Sequence, residues 1–83
     1  MNATEKNLVD NSGERWTAVE SLPEKKVPGG SVVIHLVRES RELSTQWGIF
    51  GEQNRDDIGR TTRVYLESSE SAARAKFEAY RVR

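Results

Sequence analysis

The stretch Ser31-Val-Val-Ile-His-Leu-Val-Arg38 decides the fold. Successive side chains of a β-strand point to opposite faces of its sheet. Here the even-numbered positions carry Val, Ile and Leu, and the odd-numbered positions carry Val, His and Val. Because both sets are largely apolar, the pattern predicts a central strand with both faces at least partly covered.

Three other segments have weaker strand patterns: residues 15–21, 45–51 and 60–67. In the last of these, Thr62, Val64 and Leu66 are expected to face the core, and Arg63 and Tyr65 the opposite side. The segments are separated by a Pro28-Gly29-Gly30 turn, a polar connector at 39–44 and a polar loop at 52–59. Gly48, within the second segment, predicts a bulge or a close backbone approach.

A helix is predicted from the serines at 68 and 69 to about Val82. A serine oxygen accepts hydrogen bonds from the open amides of a first helical turn, and Glu70 suits the positive end of the helix dipole. Ala73, Phe77 and Tyr80 fall on one stripe of this helix. The predicted fold class is therefore α+β: a three- or four-stranded antiparallel sheet with one C-terminal helix packed on one face.

The chain of 83 residues has 13 basic and 13 acidic side chains and no cysteine, so disulfide scaffolds, thiol catalysis and cysteine zinc sites are excluded. Its length allows a single domain. Residues 1–14 are mostly polar, and their few apolar residues show neither helix nor strand periodicity. This predicts a mobile tail ahead of a domain at 15–83. With no apolar stretch near Met1, we expect no secretory signal and a cytoplasmic location.

The sheet face away from the helix is the expected binding surface, since one helix covers only one face of a sheet. By the predicted register it carries Val33, His35, Val37, Phe50, Arg63 and Tyr65. Three alternatives remain open for this face. The N-terminal segment with Trp16 folds over it, a second protein or a second copy covers it, or it contacts nucleic acid.

Residues 55–83 hold seven basic and five acidic groups, so an anionic partner is expected near this end of the chain. Arginine forms bidentate contacts with phosphates, and exposed aromatic rings stack on bases. The candidate nucleic-acid or partner-binding residues are Arg55, Arg60, Arg63, Tyr65, His35 and Arg38.

Trp47-Gly-Ile-Phe-Gly51 resembles the Trp-Gly-Arg-x-Gly strand of the tryptophan–glycine–arginine (WGR) domain. Residues 59–83 are similar to the loop, strand and helix that follow that motif. The resemblance implies a nucleic-acid-associated module with this layout. Ile49 stands where the family has its arginine, so the contact implied for that arginine is missing from this chain.

Arg63-Val-Tyr-Leu66 and the Ser71-Ala-Ala-Arg-Ala75 helix start are similar to the last strand and helix of the DNA-binding domains of plant ethylene-response factors and phage-type integrases. The resemblance implies a three-stranded sheet that lies in the major groove with a helix behind it. The arginines that the family places on its first two strands are missing here.

No nucleophile, acid–base pair or metal-ligand set stands out from the sequence. We therefore expect a non-catalytic binding module without a cofactor or metal, and without a membrane or small-molecule partner. Nucleic acid is the first expected partner, bound by the Arg and aromatic face and the 52–60 loop. The alternative is a protein-interaction or inhibitor module, homodimeric through the same face or an edge strand.

Overall fold

The computed structural model describes residues 5–40 and 46–82, which form one curled antiparallel sheet and one helix. The strands are β1 (Lys6–Val9), β2 (Arg15–Ser21), β3 (Lys25–Val27), β4 (Gly30–Glu39), β5 (Trp47–Arg55) and β6 (Gly59–Glu67), followed by helix α1 (Glu70–Arg81). The α+β class with an antiparallel sheet and a C-terminal helix is confirmed. The predicted number of strands is wrong, since the sheet has six.

The strand order is β1-β2-β4-β5-β6, and β3 pairs with the same edge of β4 as β2 does. β4 is therefore central, as its two apolar faces predicted. The connector predicted at 39–44 falls largely on residues 41–45, which lie outside the described residues.

Two corrections concern segments that were predicted to be irregular. Residues 6–9, assigned to a mobile tail, form β1 and pair along β2. The polar stretch 52–59 is mostly strand, because β5 continues to Arg55 and β6 begins at Gly59, which leaves only residues 56–58 as a loop. The side chains of these strands are mostly polar and give no apolar alternation. The strands are held by backbone hydrogen bonds to neighbouring strands, which a local sequence pattern does not reveal.

The helix begins and ends close to its predicted limits. Ser69 is the N-cap, and its hydroxyl oxygen accepts from the amide of Ala72 at 3.1 Å. Ala73 and Phe77 are buried, and Tyr80 packs beside them, so the predicted stripe is confirmed.

The core has two layers, one on each side of the sheet. On the helix face, α1 packs over Leu36 and Ile49. On the opposite side, which we call the covered face, the curl of the sheet brings together a cluster of Trp16, Ala18, Val37, Phe50, Leu8 and Val64.

The N-terminal strands therefore close over the second face, as the first of the three alternatives proposed. Two contacts to the last strand, one from β1 and one from the turn that follows it, hold the curl. The backbone amide of Asn11 donates to the Thr62 hydroxyl at 2.8 Å, and the Arg60 guanidinium donates to the Val9 carbonyl at 3.3 and 3.4 Å.

The predicted facing of β6 is wrong by one residue. Phe50 lies opposite Val64, and Ile49 lies opposite Tyr65. Directly paired residues share a face. Val64 thus belongs to the covered face, and Tyr65 and Arg63 belong to the helix face.

Candidate functional site

The six candidate residues do not form one surface. Strand pairing places four of them on the helix face: Tyr65, Arg63, Arg55 and Arg38. It places His35 and Arg60 on the covered face. Arg38 pairs with Trp47 at one end of β5 and Arg55 lies at its other end, about 27 Å away at the rise of a strand. A single flat ligand cannot contact all six side chains.

His35 lies inside the protein, with 2% of its surface exposed. Its Nδ1 lies 2.6 Å from the Ser21 hydroxyl, and its Nε2 lies 3.4 Å from Glu52 Oε1. Because an ionised carboxylate only accepts hydrogen bonds, Nε2 carries the proton and Nδ1 accepts from Ser21. Burial lowers the pKa of His35, and the Glu52 carboxylate opposes that effect only in part.

Ser21, His35 and Glu52 thus form a serine–histidine–carboxylate chain that the sequence analysis did not find, since 31 residues separate its ends. Such a chain polarises a hydroxyl. Catalysis also needs a cleft that brings a substrate to the hydroxyl. Four clefts of the described residues are lined by neither Ser21 nor His35. The three side chains link β2, β4 and β5.

Most of the candidate arginines are occupied by acidic groups of the same chain. Arg60 Nε donates to Glu52 Oε2 at 2.8 Å, Arg55 Nε lies 3.3 Å from Asp57, and Arg38 Nη2 lies 3.3 Å from Glu5. Burial alone raises the pKa of Glu52, but the hydrogen bond and charge of Arg60, with a smaller contribution from His35, lower it overall. Each of these cations lies beside an acidic side chain, which offsets part of its attraction for an anionic partner.

Arg63 differs from the other three arginines. In the described part of the chain it makes no ion pair, and its Nη1 lies 3.5 Å from the Tyr65 hydroxyl. Its guanidinium is therefore available to an outside group.

The helix covers only part of the helix face, because a helix of 12 residues is about 18 Å long and a strand of 10 residues about 33 Å. Two adjoining clefts of about 560 and 620 Å³ remain on the uncovered part. They share Val32, Ile34 and Tyr80 as a common floor. We call this uncovered area the concave surface; its border carries Lys25, Arg55, Arg63, Tyr65 and Arg81.

Beside the concave surface, β6 is the outermost strand of the sheet. Its beginning is held at Arg60 by Val9 of β1 and at Thr62 by Asn11 of the following turn. From Arg63 to Glu67 its outer edge pairs with no other strand of the described residues. Tyr65 and Leu66, in this part, are 47% and 59% exposed.

Sequence reasoning missed Leu66 as a surface residue because the β6 facing was assigned from alternation alone. A signal was present in the Thr-Arg-Val-Tyr-Leu-Glu run, which is apolar or aromatic at three consecutive positions. Such a run predicts two apolar faces, and this strand lies where neither is fully covered.

The described helix α1 is too short and too polar to cross a lipid bilayer. No protein-family model matches the sequence, and no curated protein or solved structure is detectably similar to it.

Proposed function

We propose that this chain is a non-catalytic binding module that takes another polypeptide along the edge of β6 and the adjoining concave surface. The observation that carries the proposal is the pair Tyr65 and Leu66, about half exposed on the outermost strand. Exposed apolar side chains on an unpaired edge are a feature that soluble proteins usually avoid unless a partner covers them.

An extended polypeptide matches this edge in two ways. The outward N–H and C=O groups of residues 63–67 supply main-chain hydrogen bonds of the kind that attach an added strand. Side chains of the added strand then alternate between the side of Arg63 and Tyr65, where the concave surface begins, and the side of Leu66. Affinity would come from the backbone, and selectivity from the clefts.

The charge distribution also favours a polypeptide over a polyanion. The chain has no net charge, and Arg38, Arg55 and Arg60 each lie within ion-pair distance of a carboxylate of the same chain. A nucleic-acid surface normally offers several cations with no acidic partner.

The test is a selection of random twelve-residue peptides on the immobilised protein, followed by backbone amide NMR with the enriched peptides. We expect peptides with alternating apolar residues and shift changes confined to 63–67 and the concave surface. Tyr65→Ala and Leu66→Asp should each weaken binding at least about tenfold, as anchors of an interface do. Val82→Ser, which changes another apolar side chain at 84% exposure, should leave binding unchanged.

Two results would contradict the proposal. One is enrichment that is equal on the wild-type protein and on Leu66→Asp. The other is a set of shift changes centred on the covered face around Phe50.

Single-stranded nucleic acid is a second candidate, favoured by Lys25 and Arg63, two cations at the border of the concave surface that make no ion pair within the described residues. Arg55 and Arg81 lie at the same border but are paired with acidic side chains. Tyr65 offers a stacking platform beside the unpaired Arg63. This candidate requires that affinity for mixed-sequence DNA or RNA fall steeply between 50 and 200 mM salt. Arg63→Ala should abolish such binding, whereas Arg74→Ala, on the exposed side of α1, should not. Salt-independent or absent binding would leave the polypeptide as the sole candidate.

A further inference from the structure

We propose that one polypeptide partner of the β6 edge is a second copy of this chain, with the two β6 strands paired antiparallel about Tyr65. The inference rests on the proposed function, because it uses the same edge. It adds the identity of the partner, the register and the residues that set it.

The segment Arg63-Val-Tyr-Leu-Glu67 is complementary to itself when read in the opposite direction. With Tyr65 opposite the Tyr65 of the second copy, Arg63 lies opposite the second copy's Glu67. By symmetry, Glu67 lies opposite the second copy's Arg63. Val64 and Leu66 are opposite each other in the same way. A twofold axis thus produces two ion pairs, one aromatic pair and two aliphatic pairs from five residues.

The faces agree with this pairing. Arg63, Tyr65 and Glu67 lie on the helix face, since their partners on β5 are Gly51, Ile49 and Trp47. Val64 and Leu66 lie on the opposite side. Each proposed pair therefore joins side chains of the same face, as antiparallel pairing requires.

Arg63 and Leu66 are exposed in the single chain. Arg63 makes no ion pair in the described part of the chain. The Glu67 side chain is only 14% exposed and is held by Lys76, with Nζ 3.6 Å from Oε2. The added arginine would complete a Lys76–Glu67–Arg63 row across the interface. Leu66 is 59% exposed, and the second copy's Val64 would cover it.

Other registers fit less well. Moving the second strand by two residues sets Arg63 opposite Tyr65, or Tyr65 opposite Glu67, and both ion pairs are lost. Extending the pairing toward residue 60 is blocked, because Val9 at the end of β1 and Asn11 in the following turn already contact Arg60 and Thr62. The pairing is thus confined to residues 63–67.

Such a dimer has a consequence for binding. A twofold axis perpendicular to the sheet places both concave surfaces on the same side, next to each other. It also neutralises Arg63, so dimerisation and nucleic-acid binding through Arg63 would oppose one another.

Sedimentation equilibrium of the full chain between 1 µM and 1 mM tests the inference by charge reversal. Arg63→Glu and Glu67→Arg each set like charges opposite one another twice, so each should lower the association constant at least about tenfold. The double variant Arg63→Glu/Glu67→Arg should restore it to within about threefold of wild type. Arg74→Glu, away from β6, should have no effect.

Leu66→Lys supplies an independent check, because an exposed side chain is replaced without loss of core packing. It should also weaken the dimer, and amide exchange of residues 63–67 in the wild type should slow as the concentration rises. Folding of every variant is confirmed by circular dichroism.

A wild type that is monomeric at 1 mM would overturn the inference, as would single variants that dimerise normally or a folded double variant that does not recover. If selected peptides still shift the amides of 63–67 in any of these cases, the proposed function stands and the self-pairing alone is wrong. If they do not, both are wrong.

Discussion

At the scale of single residues, His35 is the one ionisable side chain that is buried among the described residues. It is enclosed between Ser21 and Glu52, and burial lowers its pKa below the ordinary value of about 6.5. The unfolded chain therefore takes up a proton at a higher pH than the folded protein does. The free energy of unfolding therefore keeps the full contribution of the neutral His35 above about pH 6.5, and it falls as the pH drops below that value.

We expect the urea midpoint of the wild type to decrease between pH 7.5 and pH 5.5, and that of His35→Gln to stay nearly level over the same range. Because the chain has a single histidine, the difference in slope belongs to that residue. A second decline below about pH 4.5 should persist in both proteins, since the pKa values of Glu52 and Asp10 are also lowered. Equal slopes above pH 5.5 would show that His35 titrates as it does in water.

At the scale of elements, β5 and β6 approach each other closely at Gly48. A side-chain carbon at Gly48 would lie 2.7 Å from the Tyr65 carbonyl oxygen, whereas one at Gly51 would be no nearer than 3.7 Å to any atom outside its chain neighbours. The predicted close approach at Gly48 is thus confirmed, and the β5–β6 register runs without a bulge.

We expect Gly48→Ala to lower the free energy of unfolding by about 1–3 kcal/mol, the usual range for overpacking. Gly51→Ala, three residues along the same strand, is the matched control and should be neutral or stabilising by up to about 1 kcal/mol. Urea unfolding of the two variants measures the contrast. A Gly48→Ala protein as stable as Gly51→Ala would mean that the strands are further apart than described.

Elements with a strong local signal were predictable from the sequence. Helix α1 has a serine cap and an apolar stripe, and β4 has a long apolar run between turn residues. The facing of β6 was not predictable, because Val64, Tyr65 and Leu66 are all apolar or aromatic and alternation alone does not choose between them. The pairing of β6 with β5 decides which face each β6 side chain points to. The register of that pairing depends on the Arg55–Gly59 hairpin.

The candidate site was predictable only in part for the same reason. Tyr65 and Arg63 are exposed as expected, but His35 and Arg60 lie on the covered face. Most of the arginine set lies within ion-pair distance of an acidic partner: Glu5, Glu52 or Asp57. Two of these three partners are distant in sequence from their arginines or come from a neighbouring strand, so spacing alone does not reveal them. The clefts follow from the short helix over a long sheet, which is a property of the assembled fold.

At the scale of the whole molecule, the N-terminal strand completes the second core layer. Leu8 packs on the cluster around Trp16 and Phe50, whereas the neighbouring Val9 is about half exposed. We expect Leu8→Ala to destabilise by about 1–2 kcal/mol and Val9→Ala by less than about 0.5 kcal/mol. Deletion of residues 1–9 should destabilise more than Leu8→Ala, because it also removes the Val9 carbonyl that Arg60 contacts. Thermal unfolding measures these effects. If residues 1–9 were a mobile tail, their removal would leave the melting temperature unchanged.

The assignment of the partner surface depends on which sheet face the chain itself covers. The most direct measurement is a nuclear Overhauser spectrum of the ¹⁵N- and ¹³C-labelled protein, read at the Asn11 amide. We expect cross-peaks from that amide proton to the Thr62 side chain, together with strand-like shifts for residues 6–9. Random-coil shifts at 6–9 with no peak to Thr62 would mean that the Phe50 side is open, and that the partner surface lies there instead of along β6.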